Sequence, residues 1–155
     1  MTSLALALST ALGVGYVPFA PGTFGSAVGL LVWWLLPKTA AAQLTAVAVT
    51  FALGAWSGSV AEKHFNRTDP GPVVIDEVLG MLVTLLFNPV GWQGAAIGFL
   101  WFRLADIIKP YPANRLEALH GGLGIMADDG MAAVYSNLAL RATILVFAGV
   151  WGWAL

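Results

Sequence analysis

Two pairs of adjacent carboxylates lie at the edges of apolar segments in this sequence. Asp76 and Glu77 interrupt the run PVVIDEVLG, and Asp128 and Asp129 precede the last apolar run. Consecutive side chains on a helix point about 100° apart, so one carboxylate of a pair can bind a cation directly while the other binds it through water. For Asp128, a helix cap is the alternative, because a helix N-terminus favours negative charge.

A fifth carboxylate, Asp106, lies three residues after Arg103 and three residues before Lys109. This spacing puts the three side chains near one helical face, provided that the helix persists to Lys109. They form either a ladder of salt bridges or a site in which Asp106 binds a metal ion. In the second case the two basic side chains bind phosphate oxygens, for which arginine offers a bidentate fork.

At a common site, the five carboxylates would repel one another unless a hard cation lay between them. Their ligand atoms are all oxygens, and the sequence contains no cluster of histidines or cysteines. Such a donor set favours Mg²⁺ over Zn²⁺. The sequence therefore predicts a magnesium site whose ligands, direct or through bound water, are Asp76, Glu77, Asp106, Asp128 and Asp129.

The segment Ala20–Ser26, APGTFGS, is a second candidate for phosphate binding. Thr23 and Ser26 can cap the apolar helix that follows, and the free backbone amides of a helix N-terminus bind anions. A simple turn with a helix cap is the alternative. The segment is too short for a P-loop and lacks the P-loop lysine.

The composition indicates an integral membrane protein. Hydrophobic residues make up 59% of the 155 residues, charged residues only 10%, and the mean hydropathy is +0.81. Soluble domains contain about 45–50% apolar residues. At this length one domain, residues 1–155, is expected. The net charge of −1 argues against a nucleic-acid partner, and the absence of cysteine excludes a cysteine phosphatase.

The predicted fold is all-α, with about five short transmembrane helices and an N-terminal interfacial helix. The apolar runs cover approximately residues 22–36, 41–61, 78–87, 92–102 and 130–155. Several are shorter than the roughly 20 residues that a bilayer core requires. If each run crosses once, Lys38 lies alone on one side, opposite Lys63, Arg67, Arg103, Lys109 and Arg115. The positive-inside rule makes the side with the polar motifs cytoplasmic.

Four segments resemble, in the same order, motifs of the phosphatidylglycerophosphatase A family of bacterial membrane lipid phosphatases. They are GYVPFAPGTFGS, DPGPVVIDEVLG, FRLADIIKPYP and GGLGIMADDGMAA, and together they extend over about residues 16–132. The resemblance implies Mg²⁺-dependent hydrolysis of the terminal phosphate of a phospholipid substrate, phosphatidylglycerophosphate, in glycerophospholipid biosynthesis. It also implies a location in the bacterial cytoplasmic (inner) membrane.

Carried onto the matching residues, the resemblance implies that the five carboxylates are catalytic, as metal ligands or as holders of metal-bound water. It assigns Arg103 and Lys109 to phosphate binding, with Thr23 and Ser26 as further candidates. One carboxylate acts either as a general base or as the nucleophile of an aspartyl-phosphate route. The competing hypothesis is a small cation transporter or channel subunit in which the same carboxylates line an ion path.

Overall fold

Helices form every regular element of the computed structural model, which describes residues 1–116, 119 and 121–151. The all-α prediction is therefore confirmed for the described residues. A 3₁₀ turn covers Val14–Tyr16. The helices are α1 (Thr2–Ser9), α2 (Pro21–Leu35), α3 (Ala40–Phe65), α4 (Ile75–Thr84), α5 (Trp92–Ile108), α6 (Ala113–Leu116) and α7 (Gly122–Trp151).

Local sequence signals set several helix ends. Pro21 is the first residue of α2, where its missing N–H costs no intrahelical hydrogen bond. The Thr39 hydroxyl accepts a hydrogen bond from the backbone N–H of Ala42 at 3.3 Å and so caps α3. Asn66 ends α3 in the left-handed conformation, with φ of 48°. These ends direct the chain back toward its neighbours.

The short helix α4 packs against α2, α3, α5 and α7. Its contact with α2 is close because glycines of α2 face it. A Cβ on Gly25 would come within 2.7 Å of the Val74 Cβ, and one on Gly29 within 2.8 Å of the Val78 carbonyl oxygen. Cβ atoms do not tolerate such distances in a close-packed interior, so the α2–α4 contact requires glycine at both positions.

The charged motifs lie at one end of the helices. There Arg103 of α5 contacts Glu77 of α4, and Lys109 contacts Asp128 of α7. At the other end the connecting turns meet, and the side-chain oxygen of Gln43 accepts a hydrogen bond from the Phe87 backbone N–H at 2.9 Å. The polar motifs therefore lie close together, and their position on one face of a membrane stays a prediction.

Two helices in the described part of the chain are long and apolar enough to cross a membrane: Ala40–Phe65, and Gly122–Ala148 within α7. The prediction of about five spans is wrong in number, because α2, α4 and α5 contain only 15, 10 and 17 residues. A helix of ten residues is about 15 Å long, half the thickness of a bilayer core. Hydropathy overestimated the length of α4 because the apolar run continues past the end of the helix into a turn. Residues 152–155 of the last predicted span lie outside the described part.

A short N-terminal helix is present as predicted. This helix, α1, packs on α3 and buries Ala5, while Leu4 and nearby Leu12 are exposed. The exposed leucines suit a helix that lies along an apolar boundary. Its location at a membrane interface stays a prediction.

Candidate active site

Asp76 and Glu77 lie in the first turn of α4. The first turn of a helix has unpaired backbone N–H groups and the positive end of the helix macrodipole, and both stabilise a carboxylate. Only 7% of Asp76 is exposed, and its neighbours Val74 and Ile75 are buried. The fold thus buries two acidic side chains at the end of a helix where negative charge is best tolerated.

Helix α7 brings a third carboxylate, Asp129, to this pair. One oxygen from each of Asp76, Glu77 and Asp129 lies within 4.8 Å of the other two, and we call these three residues the carboxylate cluster. Among the described residues, no hydrogen-bond donor reaches Oδ1 of Asp76, Oε2 of Glu77 or Oδ2 of Asp129, all of which are buried. Buried oxygens without donors are costly, so the arrangement fits a bound cation.

Burial and the neighbouring charges raise the pKa values of Asp76 and Glu77 on α4. This helix is too short to be one of the two candidate membrane spans. Burial raises the pKa of Asp76 well above its usual range, and the charges of Glu77 and Asp129 raise it further. Burial also raises the pKa of Glu77 to about 7, and the charge of Asp106 adds to this, whereas Asp76 and Arg103 lower it. The cluster favours bound protons or a cation over three bare negative charges.

Arg103 of α5 lies beside the carboxylate cluster. Its Nη1 is 2.7 Å from Oδ2 of Asp106 and 4.0 Å from Oε1 of Glu77. The same nitrogen donates a hydrogen bond to Oγ of Ser26 at 3.5 Å. The i,i+3 salt bridge between Arg103 and Asp106 is therefore present. Nε of Arg103 is buried without an acceptor among the described residues, so the guanidinium has an unused donor next to the cluster.

Lys109 reaches the site from beyond the end of α5. The helix ends at Ile108, and Lys109 has φ of 45°, so the condition for a shared helical face, that the helix persists to Lys109, is not met. The cause is Pro110, because a residue before proline is disfavoured in the helical conformation. Nζ of Lys109 lies 2.6 Å from Oδ2 of Asp128. The ladder that was one of the two alternatives is therefore absent as a single intrahelical ladder, and the described residues form a bridge within α5 and a bridge to α7 instead.

The alternative role of Asp128 as a helix cap is excluded, because α7 begins at Gly122 and already includes that residue. In the glycine segment before it, Gly121 alone has a positive φ, 79°. The backbone N–H of Gly122 donates a hydrogen bond to Oγ of Ser59 at 2.8 Å, and a Cβ on Gly122 would collide with the Ala55 carbonyl oxygen. Gly122 therefore serves close packing of α7 on α3 rather than a loop.

The segment Ala20–Ser26 does not form the predicted helix cap. Ala20 is the N-cap residue of α2, and no side chain caps this helix. Ser26 is buried one turn further on, and its Oγ donates a hydrogen bond to the Gly22 carbonyl oxygen at 2.8 Å. A Cβ on Gly22 would collide with Oε1 of Glu77, so α2 forms one wall of the site. Phosphate binding by Ser26 and by the half-buried Thr23 stays a prediction.

Sequence reasoning missed Asn137 and found no partner for Arg141. Nδ2 of Asn137 lies 2.9–3.0 Å from the carbonyl oxygens of Val83, Thr84 and Leu86 at the end of α4. Nε of Arg141 donates a hydrogen bond to Oδ1 of Asn137 at 2.8 Å. The signal in the sequence was a pair of hydrogen-bonding side chains four residues apart in an apolar run, a spacing that puts both on one face of a helix. They hold the C-terminal end of α4, whose first turn carries the acids.

Comparison with known proteins decides the family. A sequence profile described as Phosphatidylglycerophosphatase A matches residues 7–144, which include the whole carboxylate cluster together with Arg103 and Lys109. The chain belongs to the phosphatidylglycerophosphatase A family. Membership of this family makes it a phosphatase.

Three named relatives are similar over most of their lengths. A Bacteroides thetaiotaomicron protein named "Putative phosphatidylinositol-3-phosphatase" is 39% identical over 88% of this chain and 91% of its own. Phosphatidylglycerophosphatase A of Escherichia coli K12 is 36% identical over 92% of this chain and 81% of its own. Phosphatidylglycerophosphatase A of Haemophilus influenzae is 34% identical over 91% and 85%, respectively. No solved structure matches the chain.

Proposed function

We propose that this chain hydrolyses the terminal phosphate monoester of phosphatidylglycerophosphate and releases phosphatidylglycerol and inorganic phosphate, in glycerophospholipid biosynthesis. The observation that carries the proposal is the buried carboxylate cluster beside Arg103, in a chain whose relatives include two named phosphatidylglycerophosphatase A. Phosphate monoester hydrolysis needs neutralisation of charge on the phosphoryl oxygens and a positioned nucleophile. A cation site next to a guanidinium suits both needs.

We infer that the carboxylate cluster holds Mg²⁺. The fit rests on the buried Asp76 and Asp129 and the partly buried Glu77, each with a buried oxygen that has no donor among the described residues, since oxygen donors suit this hard cation. Asp106 and Asp128, each already paired with a basic side chain, border the cluster and are placed to orient bound water. A bound Mg²⁺ supplies charge neutralisation and polarises the phosphoryl group.

The chain's own residues perform the remaining steps in this proposal. Arg103 and Lys109 bind and orient the phosphate, because both are held at the rim of the cluster by carboxylates. A carboxylate of the cluster takes the proton of an attacking water, or it attacks phosphorus itself and forms an aspartyl phosphate that water then hydrolyses. In both routes the bond between phosphorus and the glycerol oxygen breaks, and that oxygen leaves with a proton.

We propose further that the protein is multi-pass in the bacterial cytoplasmic membrane, with the site facing the cytoplasm. Only 22% of each of the two membrane-length windows is buried, so neither is the enclosed core helix of a soluble protein. Exposed apolar side chains occur on both, for example Leu44 and Val146. The excess of lysine and arginine at the end that holds the site supports the cytoplasmic orientation.

The cation transporter is not favoured by the arrangement of charges. The cluster and its neighbouring basic side chains lie at one end of the helices rather than along a path through them. A transported cation would not require Arg103 and Lys109 next to its ligands. Such basic groups suit an anionic substrate instead.

The direct test is phosphate release by the purified protein in detergent with Mg²⁺. We expect turnover of phosphatidylglycerophosphate with a kcat/KM at least about tenfold above that of phosphatidate, phosphatidylinositol 3-phosphate or a soluble phosphate ester. Phosphatidylinositol 3-phosphate is included because one relative is named for it. Release of no phosphate from phosphatidylglycerophosphate, or a clear preference for another ester, would contradict the proposed substrate.

Removal of divalent cations tests the metal inference. After EDTA treatment and desalting, phosphate release is expected to fall at least about tenfold, because a catalytic metal contributes several kcal/mol to the transition state. Added Mg²⁺ should restore activity and should also raise the thermal midpoint of the protein, since a ligand stabilises the state that binds it. Full activity after metal removal, confirmed by elemental analysis, would exclude a required metal.

A further inference from the structure

An apolar groove follows the contact between α5 and α7 on the surface of the protein. It consists of two cavities of about 250 and 390 Å³ that share Trp101 and Leu104. The first cavity reaches Pro110 at the end of α5 that lies near the site, and the second reaches Phe147 of α7. No charged side chain lines either cavity. We call the two cavities together the α5–α7 groove.

Two contacts set the register of the helices along this groove. Nζ of Lys109 lies 2.6 Å from Asp128 at the end that holds the site, and Nε1 of Trp101 donates a hydrogen bond to Thr143 at 3.1 Å further along. The helices therefore run antiparallel. Ile108 and Pro110, which line the near cavity, flank Lys109 in the chain, and the residue after its partner Asp128 is Asp129 of the carboxylate cluster.

The length of the groove matches one leaflet of a bilayer. From Ile97 in the far cavity to Ile108 in the near cavity is eleven residues, or about 17 Å of helix. Half of a hydrocarbon core is about 15 Å. A single hydrocarbon chain is narrower than a partner helix, which is about 10 Å wide, and suits a groove built of two small cavities. Small side chains at Ala105 and Ala139 leave the space that such a chain would fill.

We propose that the α5–α7 groove binds an acyl chain of the lipid substrate and thereby presents the lipid's phosphate to the carboxylate cluster. This inference rests on the proposed function for the identity of the lipid. The groove supplies apolar contact along its length, and Lys109 marks the point where the chain ends and the charged headgroup begins. Burial of chain methylenes gives binding energy that a short substrate lacks.

Photolabelling tests occupancy of the groove without turnover. The probe is phosphatidate with a diazirine at the middle of one acyl chain, incorporated into detergent micelles with the wild-type protein. We expect labels concentrated on α5 and α7 residues of the groove, and reduced at least about threefold by Ala139→Phe, which fills it. The matched control is Ala48→Phe on the exposed surface of α3. Labels spread evenly over the other apolar helices would overturn the proposal.

Kinetics with two chain lengths complete the test. For dipalmitoyl phosphatidylglycerophosphate, Ala139→Phe and Ala105→Phe are each expected to raise KM about tenfold, whereas the KM for the dihexanoyl substrate changes less than about twofold. An equal loss with both substrates in both variants would overturn the acyl-chain role. If the wild-type protein hydrolyses neither substrate but the label still concentrates in the groove, the proposed function fails and the chain site stands.

Discussion

Asp129→Asn and Asp76→Asn are each expected to lower kcat for phosphate release by about 10³-fold. The amide keeps the shape of the side chain but removes the negative charge and one good metal-binding oxygen. Both carboxylates are buried, and they lie within 4.8 Å of each other and of Glu77. Water cannot replace the lost charge at such a buried position, so nearly all of the catalytic rate should be lost.

The matched control for these variants is Glu62→Gln. Glu62 lies near the end of α3, outside the carboxylate cluster, and its Oε1 accepts a hydrogen bond from the Asp69 backbone N–H at 3.4 Å. A glutamine oxygen can still accept that bond, so activity is expected to stay within about twofold of wild type. Retention of a tenth or more of wild-type kcat by Asp129→Asn would contradict a catalytic role for the cluster.

Stability measurements distinguish a catalytic role from a structural role. In metal-free protein the three carboxylates repel one another, so Asp129→Asn should leave the thermal midpoint unchanged or raise it. The midpoint of wild-type protein should rise on addition of Mg²⁺, and that of the variant should rise less. If instead the variant lost activity and also melted earlier without metal, the carboxylate would be supporting the fold.

Asn137→Asp is expected to destabilise the protein by about 2–3 kcal/mol. The replacement has nearly the same shape but puts a carboxylate oxygen where the amide N–H₂ lay 2.9–3.0 Å from three carbonyl oxygens. Those carbonyls belong to Val83, Thr84 and Leu86, where α4 ends between other helices. The three carbonyls would lose the donor that Asn137 supplies and face a carboxylate oxygen instead, although Thr84 and Leu86 would keep another donor, Asn88. The measurement is thermal or denaturant unfolding in detergent.

The control for this variant is Gln93→Ala, which removes an exposed amide on α5 and should change stability by less than about 0.5 kcal/mol. We also expect Arg141→Gln to weaken the protein, but less than Asn137→Asp, because Arg141 is exposed and acts mainly by orienting Asn137. Wild-type stability of Asn137→Asp would show that the end of α4 does not depend on this amide.

The position of the site followed from the sequence because charge is scarce in this chain. Only 10% of the residues are charged, so the few acids beside apolar runs were readily identified as candidates. The alternation of apolar and polar segments placed these acids at the same end of the helices. The sequence thus identified all three members of the carboxylate cluster and the pairing of Arg103 with Asp106. It did not separate the cluster from Asp106 and Asp128, because side-chain distances between different helices depend on packing.

Helix ends were the least predictable feature, because hydropathy does not register backbone conformation. The apolar run that includes α4 continues through Phe87, although Phe87 has φ of 58° and lies in a turn. Conversely, α7 begins at Gly122, before the acids that were expected to cap it, because Ser59 of α3 accepts a hydrogen bond from its first N–H. The start of α7 is thus set by Ser59, a hydrogen-bond partner distant in sequence, which the residues around Gly122 do not indicate.

Helix α7 runs without interruption from Gly122 to Trp151. Asp129 and Asn137 both contact α4 from this one helix, and the eight residues between them put their side chains about 80° apart around its axis. Insertion of a single residue between them would turn one relative to the other by about 100°. We therefore expect insertions and deletions between Asp129 and Asn137 to be far more harmful than substitutions of the exposed side chains there, because the eight-residue interval fixes how both side chains meet α4.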